Sequence, residues 1–214
     1  MTKSKEKLSG HDTFYIFLIS CVFGWLVEGI WTFIKKGVLI NHTALVIGPF
    51  NIIYGFGGII LSLVLYHMKD TKPFHIFTAS FFTGTILEYV MSYLMEIAFG
   101  FVAWNYESKP FNINGRVCLP YSLFWGILGL VWIKLIFPKL KEWIAKINTK
   151  ESHIFMNIAV VFLVFDAILT IGCIERGKKY EQGIPPQNKI EELMDHYFGV
   201  DYLNNMFNER WNKK

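Results

Sequence analysis

Residues 13–34 read TFYIFLISCVFGWLVEGIWTFI, twenty-two positions in which Glu28 is the single charge. At about 1.5 Å of rise per residue, a helix of this length spans the ~30 Å hydrocarbon core of a bilayer. Inside lipid every backbone N–H and C=O must find its partner within the chain, so helix is the economical form of such a run. Lys3, Lys5 and Lys7 precede it, which raises the question of a removable leader. The run is too long for a leader's apolar core and carries Glu28, so it is read as a retained first helix.

Four more apolar stretches follow, at residues 44–66, 74–99, 119–137 and 154–174, each long enough to cross. The expected fold is all-α: a polytopic transmembrane helical bundle of about five transmembrane helices. The second stretch opens with Ile47-Gly48-Pro49 and contains Gly55, Gly57 and Gly58, so it is expected to start late, break or enter only partway. Composition agrees with a lipid-solvated chain. Hydrophobic residues make up 53% and charged residues 18%, against about a quarter charged in ordinary soluble domains. The net charge of +4 sits in connectors and tails, which suits anionic headgroups rather than nucleic acid. Cys21, Cys118 and Cys173 form no Cys-x-x-Cys and no zinc-like cluster, so they are read as reduced and buried.

The connectors carry further information. With the N-terminus inside, nine Lys/Arg fall on inner segments, Lys69, Lys139 and Lys150 among them, against seven outside, including Lys35 and Lys109, which tips the positive-inside balance that way. In the connector at residues 138–149, Leu140, Trp143, Ile144 and Ile147 share one helical face while Lys139, Lys141, Glu142 and Lys146 take the other. That predicts an amphipathic helix lying on headgroups, or docking a cytoplasmic partner. A transmembrane domain over residues 1–174 gives way to a polar C-terminal tail at 175–214. The tail turns at Gly183-Ile184-Pro185-Pro186 and then presents an amphipathic stripe of Ile190, Leu193, Met194 and Tyr197. Leu203, Met206, Phe207 and Trp211 follow. It is too small for an independent catalytic domain and is expected to fold on the membrane surface or on another protein.

Two helices share Gly-x-x-x-Glu, at Gly24/Glu28 and Gly84/Glu88. The segments after them align as well: Pro49-Phe50-x-Ile52-Ile53-Tyr54-Gly55-x-x-Gly58 with Pro120-Tyr121-x-Leu123-Phe124-Trp125-Gly126-x-x-Gly129. From Glu to Pro is 21 positions in the first copy and 32 in the second, so the second holds 11 extra residues around Trp104–Gly115. The reading is two repeated two-helix hairpins plus one helix, in parallel orientation, with Glu28 and Glu88 at equivalent places on facing helices. Chance likeness between glycine-rich apolar segments is the plain alternative.

A charge at mid-span costs about 2.5–3.5 kcal/mol by insertion scales, so it faces a protein interior, pairs, or is protonated. Glu28, Glu88 and Asp166 are therefore candidates for a functional polar cluster, whereas Glu96, near a helix end, is better read as an interface or capping residue. Arg116 is the candidate counter-charge, its planar fork suiting a carboxylate or an anionic ligand, with snorkelling to headgroups as the even alternative. Tyr54 and Trp125 complete the candidate substrate-binding set, and Trp104-Asn105-Tyr106 could line the same pocket. No catalytic set is assigned and no metal or cofactor is implied. The sequence has no phosphate-binding Gly-rich loop ending in Lys, so the chain is no P-loop ATPase by itself, and it has no Gly-x-Ser-x-Gly elbow and no HExxH.

Phe23-Gly24-Trp25-Leu26-Val27-Glu28, Gly48-Pro49-Phe50-Asn51-Ile52-Ile53-Tyr54-Gly55-Phe56-Gly57, Glu88, Trp104-Asn105-Tyr106 and Asn112-Ile113-Asn114-Gly115-Arg116-Val117-Cys118-Leu119 carry a resemblance. They are similar to the bacterial membrane family called "putative ABC-transporter type IV", the CmpB-type permeases, over roughly residues 14–137. The Asn-x-x-Gly-Arg-x-Cys-Leu segment is the most specific part. The chain departs from the family's Trp-Asp-Tyr at Asn105, where a neutral amide weakens any cation-binding role for that spot. The resemblance implies a multi-pass protein of a bacterial cell membrane, acting as the permease component of a transporter with a separate ATPase subunit. A homo-oligomer is compatible with it. Two other readings stay open: a membrane enzyme on a lipid or isoprenoid substrate, with Glu28 or Glu88 as acid/base and Arg116 on a phosphate, and a structural or sensory accessory protein. The enzyme is less favoured, because nothing specifies a reaction.

Overall fold

The computed structural model describes residues 8–100, 102 and 104–207; the basic Lys3, Lys5 and Lys7 and the tail's Trp211 lie outside them. The described residues form eight α-helices. Helix α1 (Gly10–Lys36) starts on a reciprocal cap in which the Ser9 N–H donates to Asp12 at 2.9 Å and the Asp12 N–H to the Ser9 hydroxyl at 3.0 Å. It ends on Lys35 and Lys36, which complement the helix dipole. Helix α2 (Ile52–Leu65) runs into a short 3₁₀ turn, Tyr66–Met68. Helix α3 (Pro73–Phe99) begins with proline, whose missing N–H costs nothing in a first turn, and stops at Gly100 in left-handed conformation. Then come α4 (Leu119–Val131), α5 (Phe137–Lys146), α6 (Lys150–Glu181), α7 (Lys189–Tyr197) and α8 (Val200–Phe207).

Among the described residues three helical runs are long and apolar enough to cross a membrane: Gly10–Lys36, Leu119–Lys146 and Lys150–Glu181. On α6 the apolar side chains point outward, with Val161 70% and Ile168 66% exposed. A continuous row of that kind demands an apolar solvent. Helix α3, 27 residues long, has the length to cross but a more polar sequence, and Ile52–Met68 is shorter.

Two stretches differ from simple apolar-run expectations. Residues 44–50 are not helical, and α2 starts only at Ile52. Gly48 has φ +82° and Pro49 follows, a pair that cannot continue a right-handed helix. At the other site, α4 and α5 join through a π turn, Trp132–Ile136, in which the Phe137 N–H reaches back five residues to the Trp132 carbonyl. Pro138 explains the widening: its ring and missing N–H break ordinary helical pairing, and one wide turn absorbs the misfit without ending the helix. The amphipathic segment is thus a continuation of the fourth helix rather than a free connector, and it buries Phe137, Leu140 and Ile144.

The chain divides into two compact units. One comprises residues 1–17 and 56–153. Its α3 and α4 pack through small residues: Gly126 lies against Phe77, and Gly129 against Ser80. The Trp132 indole N–H donates to Ser62 at 2.9 Å, and Lys141 pairs with Asp12 at 3.3 Å. The other unit comprises residues 18–55 and 154–214. There the tail folds back onto α6. The buried Arg176 guanidinium donates to both oxygens of Asp195 at 2.8 and 2.7 Å, Lys179 pairs with Glu191 at 2.6 Å, and Met194 sits over Gly172. Of the tail's apolar stripe, Ile190, Leu193 and Tyr197 stay exposed, while Leu203 and Met206 of α8 are buried.

Candidate functional site

A side chain at every fourth position of a helix lies on one face. Helix α1 aligns Ser20, Gly24, Glu28 and Thr32 in this way; helix α3 aligns Ser80, Gly84, Glu88 and Ser92. In each helix the glycine is a notch filled by an aromatic ring. A Cβ at Gly24 would stand 2.2 Å from Tyr54 Cγ, and a Cβ at Gly84 would stand 2.2 Å from Trp125 Cγ. The same two aromatics then reach one turn further along, to the glutamates.

Glu28 belongs to the unit of residues 18–55 and 154–214. The Tyr54 hydroxyl donates to its Oε1 at 3.1 Å, and the Asn51 amide to its Oε2 at 3.3 Å. His42 Nδ1 approaches the same Oε2 at 3.4 Å, while His42 Nε2 and the Thr32 hydroxyl are 2.7 Å apart. Burial, and then the nearby Lys36 charge, hold His42 below its ordinary pKa, so the ring is neutral near pH 7. A neutral ring that accepts from Thr32 at Nε2 carries its hydrogen on Nδ1, directed at Glu28. The Asn51 amide also donates to the His42 carbonyl at 3.1 Å, tying the loop to the glutamate.

Glu88 belongs to the other unit and is 7% exposed. The Trp125 indole donates to its Oε2 at 3.3 Å and the Tyr106 hydroxyl to its Oε1 at 3.0 Å. Tyr106 lies in the stretch between α3 and α4. That stretch is held by the Tyr106 N–H on the Gly115 carbonyl at 2.7 Å and by the Trp104 indole on the Arg116 carbonyl at 2.7 Å. Tyr121 stacks on the Tyr106 ring with centroids 4.6 Å apart. Burial and the Glu88 carboxylate push the Tyr106 pKa upward, so the phenol remains a donor. Asn105 accepts from the Glu107 N–H at 2.8 Å and so shapes the turn.

Arg116 donates to Glu96, in contact with it, and to the Ser92 hydroxyl at 3.2 Å, with the Tyr89 and Tyr93 rings 5.8 and 5.5 Å away. Its counter-charge is therefore Glu96, the carboxylate expected to be merely an end residue, and that bond raises the Arg116 pKa. Asp166 is fully buried on α6 and accepts the Ile47 N–H at 3.0 Å. The structure thus brings Tyr54 to Glu28 and Trp125 to Glu88, gives Arg116 to Glu96, and sets Asp166 on the non-helical loop. His42 and Asn51 were not among the expected site residues. Asn51 carries a trace of the role in sequence, as the one amide inside an apolar run just before a helix start.

Residues 15–171 match the family model described as "Putative ABC-transporter type IV". No curated protein and no solved structure matches the chain.

Proposed function

Because the chain belongs to the family described as "Putative ABC-transporter type IV", we propose that it is the membrane-embedded permease component of a transporter, with five crossings and two duplicated polar sites. The observation that carries this reading is the repeated constellation of notch glycine, ring and glutamate: Gly24, Tyr54 and Glu28 in one unit, Gly84, Trp125 and Glu88 in the other. Glu28 accepts from the Tyr54 hydroxyl and the Asn51 amide, and Glu88 from the Tyr106 hydroxyl and the Trp125 indole, and carboxylates hydrogen-bonded in this way on apolar helices are poised to exchange partners with a passing polar substrate. Arg116 supports the same choice: two of its guanidinium nitrogens are engaged by Glu96 and Ser92, so a lipid-phosphate enzyme would have to break the Glu96 pair to offer it to a phosphate.

The chain lacks a phosphate-binding loop, so energy from ATP must come from a separate subunit. Purification in mild detergent from its native membrane is expected to recover a nucleotide-binding protein with it. Recovery of the chain alone, repeatedly, would reject the ATP-driven form. Within the transporter, Glu28→Gln and Glu88→Gln are each expected to fold and insert like wild type yet lower uptake at least tenfold. The amides keep the shape and accept one hydrogen bond each while removing the charge.

A further inference from the structure

We propose that the oxygen-lined turn at residues 43–50, closed by the Asp166 carboxylate, binds a monovalent cation of sodium or potassium size.

Three backbone carbonyls converge on one hydroxyl there. Thr43 Oγ1 lies 2.9 Å from the Leu45 oxygen, 2.9 Å from the Gly48 oxygen and 3.2 Å from the Phe50 oxygen. A hydroxyl has one hydrogen to give, so it serves one carbonyl at a time, while its oxygen also accepts the Leu45 N–H at 3.4 Å. The Phe50 oxygen also receives the Ala44 N–H at 2.8 Å. Leu45 and Gly48 are then left to compete for a single proton, in a turn where Thr43 and Leu45 are buried.

The second observation is independent of the turn. Asp166 is 0% exposed, and although its Oδ1 accepts from Ile47, its Oδ2 is buried with no hydrogen-bond partner among the described residues. The Ile47 N–H on its Oδ1 holds the carboxylate against the turn. The turn is clamped to α6 beside it: the Val46 N–H donates to Thr170 at 2.9 Å and the Tyr202 hydroxyl to the Val46 carbonyl at 2.6 Å. A bare carboxylate oxygen inside an apolar helix is among the most costly groups a fold can hold. Neutral carbonyls, a hydroxyl and one carboxylate are hard oxygen ligands with a single formal charge. A monovalent cation neutralises that charge, whereas a divalent ion would leave an excess in an apolar surround. Non-helical backbone carbonyls inside a membrane domain are the usual ligands for such ions.

This goes beyond the transport reading, since binding is measured at equilibrium without substrate or ATPase. The purified full chain is unfolded thermally in NaCl, KCl or choline chloride at equal ionic strength. The expected result is a midpoint ~5 °C higher in sodium or potassium than in choline. Thr43→Val should reduce that difference below ~1 °C, and Thr43→Ser should restore it. Asp166→Asn should also remove it; if that variant does not fold, the Thr43 pair decides. Glu28→Gln and Glu88→Gln should leave the difference intact whatever they do to uptake. Equal midpoints in the three salts, or a cation response that survives Thr43→Val, would overturn the proposal. So would stabilisation by acid with no cation preference, which would assign the Asp166 oxygen to a proton.

Discussion

Gly24 and Gly84 do the same job in different helices, and their neighbours show why no larger residue serves. The atoms a new Cβ would strike are Cβ and Cγ of Tyr54 and Trp125, too near their own backbone to swing aside. Gly24→Ala and Gly84→Ala are each expected to lose about 3 kcal/mol or more by overpacking, read as a fall in thermal midpoint. Gly57→Ala is the control. Its Cβ would meet Trp125 at 3.4 Å, an ordinary contact, so the better helix propensity of alanine, up to ~1 kcal/mol, leaves stability level or slightly raised. His42 supplies a prediction in pH. Burial depresses its pKa, so the folded state disfavours the charged ring; its contribution is complete above the ordinary value of about 6.5 and is lost as pH falls towards the folded value. The thermal midpoint should therefore decline between pH 7 and pH 5 with a component that His42→Gln removes. A midpoint profile that His42→Gln leaves unchanged would mean the ring titrates as it does unfolded. Glu28, Glu88, Tyr54 and Trp125 could be read from the sequence because charge in an apolar run and glycine spacing are signals along one dimension. His42, Asn51 and the pairing of Arg116 with Glu96 could not, since loops deliver those partners and no periodicity records where a loop folds.

At the scale of elements, the same division holds. Helix α3 was legible almost to the residue because Pro73 and Gly100 punctuate it. The π turn before Pro138 was not, because a proline announces a disturbance without saying whether a helix ends, bends or widens. The docking of the tail was also hidden: of α7's stripe of Ile190, Leu193, Met194 and Tyr197, Met194 packs over Gly172 while the other three are exposed, and the helix is tied down by the Arg176–Asp195 and Lys179–Glu191 pairs. The Arg176 side chain is 5% exposed and that of Asp195 33%. Asp195→Ala leaves a buried guanidinium without its carboxylate and should release α7, at a local cost of about 3 kcal/mol. The check is amide hydrogen exchange, fast across Lys189–Tyr197 and unchanged in α6. Arg176→Met, which removes the charge and keeps the stem, should restore much of the protection, and a variant as labile as Asp195→Ala would show the pair is not what holds the helix. Acid should loosen the same helix. The Lys179 ammonium holds Glu191 below the usual carboxylate range, so its stabilisation is present above about pH 4.3 and disappears as pH drops through the folded value. A spin-label pair at the exposed Glu181 and Ile190 would report the separation.

For the whole molecule, the proposed five crossings make a parity statement. An odd number places the two ends of the chain on opposite sides of the membrane, so reporter tags at the N- and C-termini should give opposite readings in intact cells. Like readings would remove one crossing, and the more polar α3 or the short α2 would be the first suspect. The three cysteines offer a parallel check, because Cys21, Cys118 and Cys173 are all free and buried: a maleimide should label none of them quickly until the protein is denatured. The interlock at Gly24 and Gly84 has a bearing on how such a molecule can work. Sliding one helix past its neighbour by a single residue, about 1.5 Å, would drive a ring out of its glycine notch and towards the flanking side chains. Each hairpin is thereby keyed like a bolt in its slot and behaves as a stiff lever. A stroke in the proposed transport cycle would then be delivered by tilting and by re-forming joints such as the non-helical passage before α2, not by ratcheting along the helix axes.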